Sequence, residues 1–402
     1  MRHRTTLTPL LACLALLAPA AHAQDAAQRL AQDAVIVDTH IDAPGILMDK
    51  WADLGKEAND REFDYPRSRA GGLDVAFMSI YTSHGQDGDG SAWHVANQMI
   101  DGIEALVQRH PARFAILTSP RDVQSLLAGG RVLLPLGMEN GGPLGDNLDN
   151  VRFFFDRGVR YITLAHSGNN RIADSSYARD KKWNGLSDFG RQVVGEMNRL
   201  GMMVDVSHLG DASAKETIAL SRVPVIASHS AFRHFTPGFE RNISDEIAKL
   251  VAAKGGVVQV PFGTSFINPD SAADTQAHFR AINDFNARNA ALQAQGQPLQ
   301  DRKTFEKAWS DAHPIRQSTL AQVLDQIDYG VKLIGVDHVG IGSDFDGVGG
   351  ELPPQLKTVA DFPNLVAGLQ ARGYRDADIR KILGGNLLRA WTAIEAGAAP
   401  TR

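Results

Sequence analysis

Seven side chains of this 402-residue sequence, His40, Asp42, Glu139, His166, His208, His229 and Asp344, have the chemistry of metal ligands or proton carriers. His40 and Asp42 close a short apolar run two residues apart, so on a strand they point the same way and can reach one ion. Glu139 ends another such run, ahead of Asn140-Gly141-Gly142. His166, His208 and His229 each end one more, and Asp344 ends the last, with Asp346 two residues on. Any one of these residues alone reads as a hydrogen-bonded rim group. Their recurrence at strand ends changes that reading. His208 and His229 are 21 residues apart, about one strand-plus-helix repeat, which puts them side by side at the same height. Three carboxylates and four histidines around one mouth are costly to desolvate without a cation. His40 with Asp42 and His208 with His229 make two pairs, and Glu139 can bridge them. Two cations a few ångström apart can share a water and generate hydroxide at neutral pH. Imidazole and carboxylate without thiolate suit Zn2+, and also admit Mn2+ or Co2+.

These residues need a scaffold that brings strand ends together. Near-continuous apolar runs, as in a parallel sheet buried on both faces, predict eight strands: Ala34–Thr39, Leu73–Tyr81, Arg131–Met138, Val159–Ala165, Met202–Ser207, Pro224–Ser228, Gly256–Pro261 and His338–Ser343. Amphipathic stretches between them predict helices over Trp93–Gln108, Ser187–Leu200, Asp211–Leu220, Ser244–Ala253 and Gln317–Leu333, with Ser187, Asp211 and Ser244 as N-caps. The pattern implies an α/β fold, a (β/α)8 TIM-type barrel of the metal-dependent hydrolase kind. An open doubly wound sheet is the competing architecture, but the glycine-rich phosphate loop is missing after the first strand. Phe262 to Pro314 is a long insertion after strand 7, partly helical over His278–Gln293, and belongs over the mouth of the barrel. Leu383–Glu395 predicts a closing helix, and Ala396–Arg402 a frayed tail.

Arg2 and Arg4, the apolar run Leu7–Ala18 and Ala21-His22-Ala23 read as a secretory signal peptide over residues 1–23, leaving one barrel domain over 24–402. The expected location is the periplasm. Leu10-Leu11-Ala12-Cys13 offers a minor lipoprotein alternative through Cys13, although Ala23 is the better cut. Cys13 is the only cysteine, so the mature chain has neither disulfides nor thiolate ligands. Losing Arg2 and Arg4 takes the net charge from −5 to −7, which argues against a nucleic-acid partner. No other apolar run is long enough for a transmembrane helix.

Asp38-Thr39-His40-Ile41-Asp42, Gly137-Met138-Glu139-Asn140-Gly141, Leu164-Ala165-His166, Asp205-Val206-Ser207-His208, Ala227-Ser228-His229-Ser230 and the run His338 to Gly347 resemble the membrane (renal) dipeptidase family of metallopeptidases. The resemblance runs from about Val35 to Trp391. It implies that His40 and Asp42 bind one zinc, His208 and His229 the other, and that Glu139 bridges the two. It implies that His166 stabilises the oxyanion formed from the scissile carbonyl and that Arg241 grips the C-terminal carboxylate of the substrate. Asp344 then handles the proton of the bridging water. The activity so implied is hydrolysis of small dipeptides, L,L and also L,D, by a metal-bridging hydroxide, in a homodimer. The same barrel acting on a non-peptide amide, lactone or biosynthetic intermediate is one alternative, and a non-catalytic periplasmic metal or peptide binder another.

Overall fold

The computed structural model describes residues 24–314 and 316–399. The expected signal peptide, with Cys13, and the end of the expected tail lie outside the described residues. Ten strands occur in order: β1 (Ile36–Ile41), β2 (Leu73–Tyr81), β3 (Phe114–Ile116), β4 (Val132–Leu134), β5 (Leu136–Glu139), β6 (Val159–Thr163), β7 (Met203–Asp205), β8 (Ile226–Ala227), β9 (Val257–Val260) and β10 (Val339–Ile341). All pairings between them are parallel, running β1–β2–β5–β6–β7–β8–β9–β10, while β4 and β3 extend from β2 as a short spur.

The path closes on itself where the chemistry lies. Asp42 N donates to Phe345 O at 2.8 Å, Asp344 N to His40 O at 3.1 Å, and Thr39 Oγ1 to Ile341 O at 3.0 Å. Ile41 and Phe345 form a parallel bridge. Asp38 fastens the same seam from inside, accepting from His40 N (3.1 Å) and Ser343 N (2.9 Å). Eight strands thus form a barrel with its helices outside. Both faces of the strands are covered, and that is why they read as unbroken apolar runs.

Ser187 and Ser244 cap their helices as expected, accepting from Gly190 N and Ile247 N. Asp211 does not: Gly210 is the N-cap, and the Asp211 carboxylate is held instead by Arg233 through both its terminal nitrogens at 2.6 and 2.7 Å. The expected third strand is broken at Pro135, which has no N–H for the ladder, so β4 turns to β3 while β5 joins the barrel. The helix expected from Gln317 starts at Leu320, behind a Thr319–Gln322 capping box. The closing helix begins at Asn386 rather than Leu383, after a widened turn over Lys381–Gly385, and continues to Ala396. The insertion is more helical than expected, with helices Thr264–Ile267, Pro269–Ala294 and Arg302–Ala312. Asn268 caps the long one, and Pro269 supplies the preset φ at its first position.

Gly137 of β5 sits beside Tyr161 of β6, and a Cβ there would overlap the phenol ring. Gly137→Ala is therefore expected to cost about 1–3 kcal/mol by overpacking. Denaturant titration reads this as a lower midpoint at unchanged slope; an unchanged midpoint would show that the ring has room to move.

Candidate metal centre

Each of the predicted strand-end residues reaches one buried cluster. Glu139, at the end of β5, is its hub: Oε1 lies 3.1 Å from His208 Nε2, 3.3 Å from His229 Nε2 and 3.4 Å from His166 Nε2. Its Oε2 lies 3.5 Å from His40 Nε2, and His40 Nε2 is 3.4 Å from Asp42 Oδ2. Three overlapping groups have ligand atoms within 4.8 Å of one another: His40, Glu139 and His229; Glu139, His166 and His208; and His40, Asp42 and Asp344. His166 thus stands among the prospective ligands, and the His40 ring stacks on that of His229 with centroids 3.7 Å apart.

Backbone strain aims two of these groups. His208 and Asp344 sit in the left-handed region at φ 65° and 66°, which costs a non-glycine residue roughly 1–2 kcal/mol. Asn140, beside Glu139, does the same at φ 79°, and its amide donates to Thr82 O and to both Asp87 oxygens at 3.0 Å each. Asp346 is a loop clamp. Its Oδ1 accepts from Glu62 N at 2.8 Å while its own N donates to the Glu62 carboxylate. Burial pushes Asp346 up to about 6 and Glu62 up to about 7.

The electrostatics suit a cation. Burial, then the Arg241 charge, holds His208 well below the ordinary imidazole pKa; burial, then the charge on His40, does so for His229. Neutral imidazole is the form that ligates. Burial opposes a charge on His40, but the Glu139 and Asp42 carboxylates favour one and lift its pKa well above the usual value, so positive charge is favoured at Nε2, where a metal cation would replace the proton. Burial alone would raise Glu139, yet His40 and His166 hold it well below the ordinary carboxylate range. Arg241 Nη2 donates to His208 Nε2 at 2.9 Å, so that nitrogen is an acceptor, and it faces His229 Nε2 at 2.8 Å. Two imidazole nitrogens and a carboxylate oxygen meet there, and His40 Nε2 has no hydrogen-bond partner among the described residues. The donor set fits a divalent metal bound through nitrogen and oxygen.

A sequence profile of the membrane dipeptidase family, peptidase family M19, matches residues 24–402. The chain belongs to the membrane dipeptidase family. It is a metallo-dipeptidase by family, and other comparisons agree. The dipeptidase verJ of Clonostachys rogersoniana is 30% identical over 383 residues, which are 92% of this chain and 86% of that protein. The crystal structure of the probable dipeptidase PvdM from Pseudomonas aeruginosa superposes with a TM-score of 0.79 at 28% identity, covering 94% of this chain and 99% of that one. A metallopeptidase from Rhodobacter sphaeroides, solved with a phosphinate mimic of the dipeptide L-Ala-D-Ala, superposes with a TM-score of 0.73 at 23% identity over 90% of this chain and 99% of that one, a likeness in fold.

The surroundings of the dipeptidase cluster hold residues to which sequence reasoning gave no role. Asp38 and Asp205 are fully buried carboxylates inside apolar strands. Both stand in the sequence motifs, so a charged residue amid an apolar run was the available signal. Tyr161 offered none, because a tyrosine in a strand is ordinary core. Tyr177 stacks on Phe279 of the insertion at 4.0 Å and lies 5.9 Å from the His208 ring. Burial, opposed by the nearby Arg241, pushes its phenol up to about 12. Among the described residues, no helix of the dipeptidase is long and apolar enough to cross a membrane.

Proposed function

We propose that the protein is a two-zinc dipeptidase that cleaves the amide bond of free L,L and L,D dipeptides. The observation that carries this is the convergence of four histidine Nε2 atoms on one carboxylate, Glu139, within 3.5 Å. In this reading His40 and Asp42 hold one ion, His208 and His229 the other, and Glu139 both. Bound there, zinc supplies Lewis acidity and an acidified water at neutral pH.

The chain's own groups do the rest. Arg241 is buried, fixed by Ser230 Oγ (3.0 Å) and His229 O (2.8 Å), and its Nε has no partner among the described residues. A fixed guanidinium with a spare donor suits the substrate's C-terminal carboxylate. Burial keeps the His166 imidazole neutral, so it can donate to the oxygen that gains charge during attack on the scissile carbonyl. Burial and the neighbouring charge of Asp42 push Asp344 well above the ordinary carboxylate range. That direction suits a group that takes a proton from the attacking water and gives it to the leaving amine. The N-terminal signal supports export to the periplasm, and the family resemblance a homodimer.

The test is a panel of dipeptides with L or D second residues, each also as its C-terminal amide. Turnover is expected to vanish with a chelator, return with Zn2+, and fall about 10²-fold in kcat/KM for the amides, the scale of one lost charge-assisted contact. Turnover surviving exhaustive metal removal would sink the proposal.

A further inference from the structure

The histidines of the cluster differ in what stands behind them. Behind His40 is the Tyr161 hydroxyl, 2.8 Å from Nδ1 and 3.1 Å from Thr39 O. The single phenol proton is donated to Thr39 O, which leaves the phenol oxygen to accept from His40 Nδ1. Behind His229 is the Ser228 hydroxyl, 2.8 Å from Nδ1 and 2.6 Å from Asp205 Oδ2. Asp205 also accepts from Thr163 Oγ1 (2.5 Å), Ser207 N (3.0 Å) and Ser228 N (2.8 Å), four donors in all, as an ionised carboxylate does. The serine proton is thereby committed to Asp205, and His229 Nδ1 must donate to the serine oxygen. His166 Nδ1 and His208 Nδ1 have no such partner among the described residues.

We propose that Tyr161 and the Ser228–Asp205 pair are positioning residues that hold the Nδ1 protons of His40 and His229, so that Nε2 of each ring offers its lone pair to a divalent cation. Each relay acts on one ring. Both are built into the barrel wall: Tyr161 lies in β6 with its ring in the space that Gly137 leaves free, and Asp205 closes β7 between Thr163 and Ser228. A ligating imidazole whose far nitrogen is held this way is oriented and more basic, and loss of the partner typically weakens metal affinity about 10–100-fold.

The inference rests on the metal reading above, and the experiment separates the two. Tyr161→Phe and Ser228→Ala each remove one oxygen with no added bulk. In ¹H–¹⁵N spectra that detect imidazole N–H groups, wild-type protein should show Nδ1–H of His40 and His229 protected from exchange. Tyr161→Phe should abolish protection at His40 alone, and Ser228→Ala at His229 alone. In a competition with a zinc-selective chelator, each variant should release zinc at about 10–100-fold lower chelator concentration, with the thermal midpoint of the metal-free protein unchanged. If both N–H signals stay protected in Tyr161→Phe and Ser228→Ala, or zinc is retained as in wild type, the positioning role is overturned. If wild-type protein binds no zinc, the two-zinc reading fails, and the proton positions alone decide the relays.

Discussion

Glu139→Gln is expected to abolish the activity. The substitution keeps the shape of the side chain but removes its charge and turns one oxygen into an N–H donor. Three imidazole nitrogens lie within 3.4 Å of one Glu139 oxygen and a fourth lies 3.5 Å from the other, so either orientation of the amide directs hydrogens at atoms that must present lone pairs. An amide also bridges cations far more weakly than a carboxylate. On the two-zinc proposal, metal content should fall from two ions per chain to one or none, and kcat/KM by at least about 10³-fold, about 4 kcal/mol of transition-state stabilisation. Elemental analysis beside steady-state kinetics reads both. Full metal content and wild-type turnover in Glu139→Gln would remove the hub from the mechanism.

Asp344→Asn should separate chemistry from binding. Asparagine tolerates the left-handed backbone, so the φ of 66° at this position is no obstacle, whereas alanine would add strain to the loss of the acid. The backbone N–H of residue 344 still donates to His40 O and keeps the seam closed. What disappears is the carboxyl to which the proposal assigns proton transfer between the attacking water and the leaving amine. A positioned general acid–base contributes typically about 10²–10⁴ in rate. The expected result is a drop of that size in kcat with KM within a few-fold and metal content unchanged. Wild-type kcat in this variant would assign the proton to another group.

The barrel and the residues that cluster at its mouth were legible because both follow local rules. A strand buried on both faces is an unbroken apolar run, and a polar residue just past its end belongs to the mouth. That logic suffices to locate His40, Asp42, Glu139, His166, His208, His229 and Asp344. It does not extend to residues whose meaning depends on partners distant along the chain. Tyr161 meets His40 121 positions away, and Asp38 meets Ser343 305 positions away. Neither pairing has a periodicity to betray it. Local chemistry also misled in places. Asp211 looks like a cap and is instead bound by Arg233, 22 positions on. Pro135 splits a strand that composition alone runs together. The insertion, rich in alanine, glutamine and asparagine, gave a helical signal over only part of the segment that is helical.

The joint between β1 and β10 has a consequence for how the molecule is made. Synthesis begins with the half that carries His40 and ends with the half that carries Asp344, so β1, already paired with β2, waits for its second neighbour until β10 is made. Contacts between such remote parts form late in folding, because the long loop must close first. A nascent or truncated chain lacking Val339–Ile341 therefore displays its histidines around an open edge. The cluster of ligand-type side chains is thus complete only when the far end of the barrel has been made.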